Sequence, residues 1–131
     1  MDLSDSKKTR WLICLGLVLA TVALYARVAG FGFILYDDPD YFTENPMISA
    51  GFTLKGVVWA FTHAYASNWH PLTWISHMLD YQIFGLHGGG PHLVNVALHT
   101  ANAVLVFILL QRMTGAQWRS AIVAALFGST R

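Results

Sequence analysis

The sequence predicts an all-α membrane protein with two full transmembrane helices, a truncated third, and a long extracytoplasmic loop bearing two interfacial amphipathic helices. Three observations carry that expectation. Of 131 residues, 55% are hydrophobic and only 11% charged, whereas soluble domains hold about 25% charged residues. Two apolar runs are long enough to cross the hydrocarbon layer, which takes about 20 residues in a helix. Between them lies a stretch rich in Trp, Tyr and Phe that shows helical spacing but is too polar to span. The net charge of +1 argues against a nucleic-acid partner, because such domains gather a basic excess into a patch.

Residues 1–10 read as a polar cytoplasmic N-terminus, with Lys7, Lys8 and Arg10 just before Trp11. The first transmembrane helix is predicted over 11–35, long enough to cross with some tilt if Arg27 snorkels to a headgroup or faces other helices. A signal peptide is the competing reading. Against it, the run exceeds the usual h-region of about 7–15 residues, and no clean small-residue cleavage site follows Arg27. Cys14, the single cysteine, lies in this run, can form no internal disulfide and reads as a packing residue.

Lysine and arginine mark the cytoplasmic side. Lys7, Lys8 and Arg10 precede the first span, and Arg112 and Arg119 flank the turn after the second. The connection from Asp37 to Pro91 holds only Lys55. The N-terminus is therefore expected to be cytoplasmic and loop 36–91 extracytoplasmic. In that loop Thr53 reads as an N-cap before Leu54, Val57, Val58, Phe61 and Tyr65, spaced as one helix face. A second helix opens at Pro71, carries Leu72, Ile75, Met78 and Leu79, and stops at Gly85. Trp59, Trp69 and Trp74 suit headgroup depth at an interface. The segment GLHGGGP, 85–91, lacks the lysine and hydroxyl residue of a phosphate-binding loop and reads as a flexible turn.

The second transmembrane helix is predicted over 92–111. It carries a polar face of His92, Asn95, His99 and Asn102, at i, i+3, i+7 and i+10. A cytoplasmic turn follows over 112–118. The segment 119–131 starts a third apolar helix too short to cross a bilayer, so the chain reads as a fragment or a prematurely ended copy with little activity by itself.

The acids after the first span are the main chemical candidates. Asp37 and Asp38 can act as a general base with its orienting partner, or can hold a divalent cation through hard oxygen ligands. A solvated helix exit built of ordinary turn residues is the alternative reading. His63, His70 and His77 recur every seven residues, but Pro71 is expected to break a helix between them, and no HxxxH pair exists. No metal ligands are assigned. Substrate contact is assigned to His70, Trp69 and Asn45. His99 needs a polar partner inside a membrane helix, and the polar face as a whole can equally serve helix packing. No G-x-S-x-G element is present to support a covalent hydrolase.

Three segments, YDDPDYFTENP after the first span, HPLTWISHMLDYQIFGL in the loop and PHLVNVALHTANAVLVFILL as the second span, together resemble the amino-terminal part of C-type integral-membrane glycosyltransferases. The likeness is to the protein O-mannosyltransferase-like family, many of whose bacterial members carry tetratricopeptide repeats after the membrane domain. The resemblance covers nearly all of the chain from Phe31 onward. It implies a bacterial inner membrane protein that moves a sugar from a polyprenyl-phosphate donor to a protein or glycan acceptor hydroxyl. By position, Asp37 would be the base that deprotonates the acceptor, while Asp38 would orient it or help hold a cation. The chain departs from the family where it ends, and the basic residues that usually hold the lipid phosphate are missing. Two other classes remain open: a small non-enzymatic membrane subunit packing through Asn95, His99 and Asn102, and a divalent-metal-binding membrane protein.

Overall fold

The computed structural model describes residues 3–33 and 38–130. Among the described residues the chain is helical, with no strand beyond an isolated Tyr65–Asn68 bridge. The α-helices are α1 (Leu3–Tyr25), α2 (Pro46–Ser49), α3 (Leu54–Thr62), α4 (Pro71–Phe84), α5 (Gly89–Thr114) and α6 (Gln117–Ser129). Two stretches, Lys7–Gly30 and Gly89–Thr114, are long and apolar enough to cross a membrane. Only 17% of each apolar window is buried. The core helix of a soluble domain would be mostly covered, so the outward apolar faces point to membrane association.

Boundaries shift for local reasons. The helix α1 begins at Leu3 rather than near residue 11, because the stretch from Ser4 to Arg10 holds no Gly or Pro to break a helix. It passes into a 3₁₀ turn over Ala26–Gly30, ahead of the run containing Gly30 and Gly32. Residues 34 and 35, the predicted end of the first span, lie outside the described residues. Helix α5 starts at Gly89, three residues before the polar face suggests. Its first turn can hold Gly90 and Pro91 because the first four N–H groups of a helix have no intrahelical partner anyway.

Two compact units form, one from residues 1–27 and 95–131 and the other from 28–94. In the first, Leu17 of α1, Phe107 of α5 and Ala124 of α6 are the buried apolar centre. Small residues allow the close approach: a Cβ on Gly128 would lie 3.1 Å from the Thr21 hydroxyl and 3.4 Å from the Ala103 Cβ. The Tyr25 hydroxyl donates to the Thr130 carbonyl at 2.8 Å.

The second unit is centred on Phe42, Ile48, Ala60, Trp74 and Met78, drawn from a π-helical turn (Pro39–Thr43), α2, α3 and α4. Caps set its element ends. The Thr53 hydroxyl accepts the Gly56 N–H at 3.0 Å at the start of α3, and the Asn45 Oδ1 accepts the Met47 N–H at 3.0 Å at the start of α2. Pro71 opens α4, and Gly85 closes it at φ 60°. Between α3 and α4, Tyr65 and Asn68 exchange backbone hydrogen bonds of 2.9 Å. That tight turn puts Ala66 and Ser67 at φ 47° and 62°, which only strong local bonding sustains. The Asn68 amide supplies it by donating to the Tyr41 hydroxyl at 2.6 Å.

Gly88 to Gly90 do not form a free turn. A Cβ on Gly88 would sit 3.0 Å from the Gly32 carbonyl carbon and the Phe33 nitrogen, one on Gly89 would strike the Ala29 carbonyl oxygen, and one on Gly90 the Phe84 ring. Gly88 and Gly89 allow backbone-on-backbone packing, and Gly90 makes room for the Phe84 side chain. Gly89→Ala should therefore lower the unfolding midpoint clearly, in the overpacking range of about 1–3 kcal/mol. Gly56→Ala should cost less, because its obstacle is the flexible Met78 thioether end at 2.8 Å. Near-ultraviolet circular dichroism of the purified chain during heating compares the two.

Candidate functional site

The residues from Gly30 to Phe33 are held against the start of α5 by the glycines just described. His92, one helical turn into α5, lies with its Nε2 3.5 Å from the Gly32 carbonyl oxygen. Asp38 precedes Pro39 at the head of the π-helical turn. Together Gly30, Phe31, Gly32, Phe33, Asp38 and His92 line a cleft of about 500 Å³, within the roughly 300–1,000 Å³ of small-molecule sites. Among the described residues its lining combines an apolar wall, exposed backbone, the Asp38 carboxylate and the His92 imidazole.

Beside it, in the same unit, α4 presents a row of polar groups. His70 is the residue before Pro71, and Trp74 and His77 follow at i+4 and i+7, on one helix face. The His70 Nε2, Trp74 Nε1 and His77 Nδ1 are all buried without a hydrogen-bond partner. Buried polar atoms are nearly always paired, so three orphans on one face are unusual and favour a polar ligand or ordered water there. The row is held by ring packing: Tyr41 lies 5.6 Å from His70 and 5.0 Å from Trp74, and Phe42 meets His77 edge-on at 5.6 Å.

Burial acts on His77 of this row and on Asp80 beside it. It lowers the His77 pKa, an effect that the negative charges of Asp80 and Asp38 only partly oppose and that His70 reinforces. The influence of Asp38 on His77 couples the cleft to the α4 row. Burial likewise raises the Asp80 pKa, against the pull of His77. The His77 Nδ1 and an Asp80 carboxylate oxygen are 3.7 Å apart, beyond hydrogen-bond reach, so the pair compensates weakly. Both shifts favour the neutral forms, leaving groups able to take up a proton or exchange hydrogen bonds with a hydroxyl-bearing ligand.

The sequence-predicted residues fall as follows. Asp37 lies outside the described residues. Asp38 is half-buried at the cleft. Asn45 is fully buried and occupied by the backbone, since its amide also donates to the Asp40 carbonyl at 3.4 Å; its observed role is to shape the loop. Trp69 is 61% exposed and its Nε1 donates to the Phe61 carbonyl at 3.1 Å. His70 heads the α4 row. The polar face of α5 divides: His92 meets the Gly32 carbonyl, and His99 places its Nε2 3.3 Å from the Gly128 carbonyl oxygen and meets the Tyr25 ring edge-on at 5.5 Å. Asn95 and Asn102 are exposed. Among the described residues no group of three or more His, Cys, Asp or Glu could hold a metal ion.

Trp74 corrects the sequence reading. It has no exposed surface, so its indole is an internal wall rather than an interfacial anchor. Pro71 opens α4 at its first turn, where its missing N–H is not needed, and His63, just past the end of α3, does not share a helix with His70 and His77. The signal for the row was the i, i+4, i+7 spacing counted from the cap residue itself. No family model, curated protein or solved structure matches this chain.

A pH dependence follows, with opposite signs for the two groups. The folded His77 binds a proton less readily than an unfolded histidine, so its contribution to stability is full above about pH 6.5 and declines as the pH falls toward its lowered folded value. For Asp80 the folded pKa is the higher one. Its contribution is present below about pH 3.9 and is lost as the pH rises through the folded value. Asp80→Asn should therefore raise the unfolding midpoint at pH 7.5, and His77→Gln should flatten the loss of stability below about pH 6.5. Melts of each variant across pH 4.5 to 8 measure both.

Proposed function

We propose that the cleft beside Asp38 belongs to a membrane glycosyltransferase that moves a sugar from a polyprenyl-phosphate donor to a protein or glycan hydroxyl. The observation that supports the reading is the conjunction of this carboxylate-bearing cleft with three unpartnered polar atoms on the neighbouring α4 face. A sugar or acceptor hydroxyl is both donor and acceptor of hydrogen bonds, the chemistry such orphan atoms lack. In the reaction the acceptor oxygen attacks the anomeric carbon, its proton passes to the base, and the bond to the lipid phosphate breaks with inversion. Asp37 is the proposed base and Asp38 the group that orients the acceptor or helps hold a divalent cation, with His70 and Trp69 contacting substrate.

The membrane arrangement belongs to the same proposal. The N-terminus is cytoplasmic, residues 36–91 face the extracytoplasmic side of a bacterial inner membrane, and α3 and α4 lie along the interface. A carboxylate at that boundary can meet a lipid-anchored donor and a water-soluble acceptor together.

Vesicles containing this chain extended with the later membrane helices of the resembled family, supplied with radiolabelled polyprenyl-phosphate hexose and an acceptor, test the reading. Donor retention and sugar transfer are read separately. Asp37→Asn should reduce transfer by about 10²–10⁴-fold while leaving donor retention near wild type, and His70→Ala should weaken retention. Unchanged transfer in Asp37→Asn would remove the catalytic assignment.

A second reading, a non-enzymatic subunit, is favoured by one observation. Asn95 and Asn102, two turns apart on α5, are exposed on a helix whose apolar window is only 17% buried. Amides facing hydrocarbon are costly unless a partner helix covers them. Under this reading Asn95→Leu with Asn102→Leu should abolish association with partner helices on native gels, without affecting helicity.

A further inference from the structure

We propose that the cavity formed by the start of α1 and the end of α5 binds the phosphate of an acidic phospholipid. Arg10, Trp11 and Cys14 line it from α1, and Ile108 and Arg112 from α5, enclosing about 210 Å³. The inference does not depend on the transferase reading and concerns the other compact unit, to which all five residues belong.

Two guanidinium groups from different helices converge on one small cavity. Two cations lining one cavity favour an anion between them, and among the described residues the lining holds no acidic side chain. Among the described residues the one ion pair is His77 with Asp80, in the other unit. Two arginine forks suit the oxygens of a phosphate, which they can grip in bidentate fashion.

Position and lining identify that phosphate as a lipid's. The two apolar stretches run Lys7–Gly30 and Gly89–Thr114, so Arg10 lies near the start of one and Arg112 near the end of the other. Both belong at the boundary between hydrocarbon and headgroups. Trp11, 72% exposed, is the residue type favoured at that depth. Cys14 and Ile108 continue the wall toward the apolar interior, where an acyl chain rather than water would lie. At about 210 Å³ the cavity lies below the roughly 300 Å³ where sites for larger ligands begin. Since no carboxylate is among the described lining residues to meet an ammonium group, the site favours acidic over zwitterionic lipids.

The test places the whole chain in nanodiscs of phosphatidylcholine with a minor share of phosphatidylglycerol, then counts the lipid retained per chain by native mass spectrometry. Wild type should retain phosphatidylglycerol in preference to phosphatidylcholine. Arg10→Gln and Arg112→Gln should each weaken that preference about five-fold, and the double variant about 30-fold. Arg119→Gln, outside the cavity, should leave it unchanged, and millimolar inorganic phosphate should not displace the lipid. If the double Gln variant loses helix by circular dichroism, Arg10→Lys with Arg112→Lys carries the comparison and should keep the preference at a reduced level. Equal retention of the two lipids, undiminished preference in the double Gln variant, or an equal loss in Arg119→Gln would overturn the proposal. Displacement by inorganic phosphate would also overturn it, by assigning the cavity to a soluble anion.

Discussion

Trp74 has no exposed surface, and the unit formed by residues 28–94 is arranged around its indole. His70 lies 4.9 Å from it, Tyr41 5.0 Å, Trp59 5.7 Å, Tyr65 5.9 Å and His77 6.3 Å. These partners come from the π-helical turn, α3, the turn after it, the cap of α4 and α4 itself. An indole of this size removes roughly 150–250 Å² from water, contributing about 4–6 kcal/mol as an upper estimate. One ring therefore joins four short segments, the π-helical turn, α3, the turn after it and α4, that would not be stable alone.

That arrangement has a chemical consequence. Packing three polar heteroaromatic rings against one another satisfies their carbon faces and leaves the ring nitrogens without partners. The orphaned atoms fall on one side of α4, within electrostatic reach of Asp38 in the case of His77. The cleft of Asp38 and His92 is shaped by a different device, the backbone contact that Gly88 and Gly89 permit with residues 29–33. Aromatic packing thus supplies the polar row, and missing side chains supply the space.

In the other unit the balance is reversed. Small residues, Gly128 and Ala124 of α6 with Ala103 of α5, let the helices approach closely around Leu17 and Phe107. Large apolar residues such as Leu15, Leu19, Leu105 and Leu109 remain exposed. A water-soluble unit of this size would bury such side chains; a unit in lipid has no reason to, because hydrocarbon is as apolar as leucine. The charged residues Arg10 and Arg112 lie near the ends of the two apolar stretches and line one cavity.

Much of the fold was legible because its determinants are local. The hydroxyl of Thr53, the fixed φ of Pro71 and the positive φ of Gly85 define helix ends whatever surrounds them, and two long apolar runs declare themselves by length. The chemical candidates Asp38, His70 and His92 could be named from residue type and neighbourhood. Which of them share a site could not, since the approach of residues 29–33 to Gly88 and Gly89 joins positions some 60 residues apart and leaves no periodic trace. Trp74 shows the same limit: an indole suits a headgroup layer and a protein core equally, and only the rings around it decide. The sequence by itself determined the helices, their caps and the apolar stretches, because those depend on neighbours within one or two turns. Only the tertiary structure decided that Asp38 and His92 share a cleft, that His70, Trp74 and His77 are left with unpaired atoms, and that two distant arginines line one cavity. Burial and convergence depend on contacts between segments far apart in the chain.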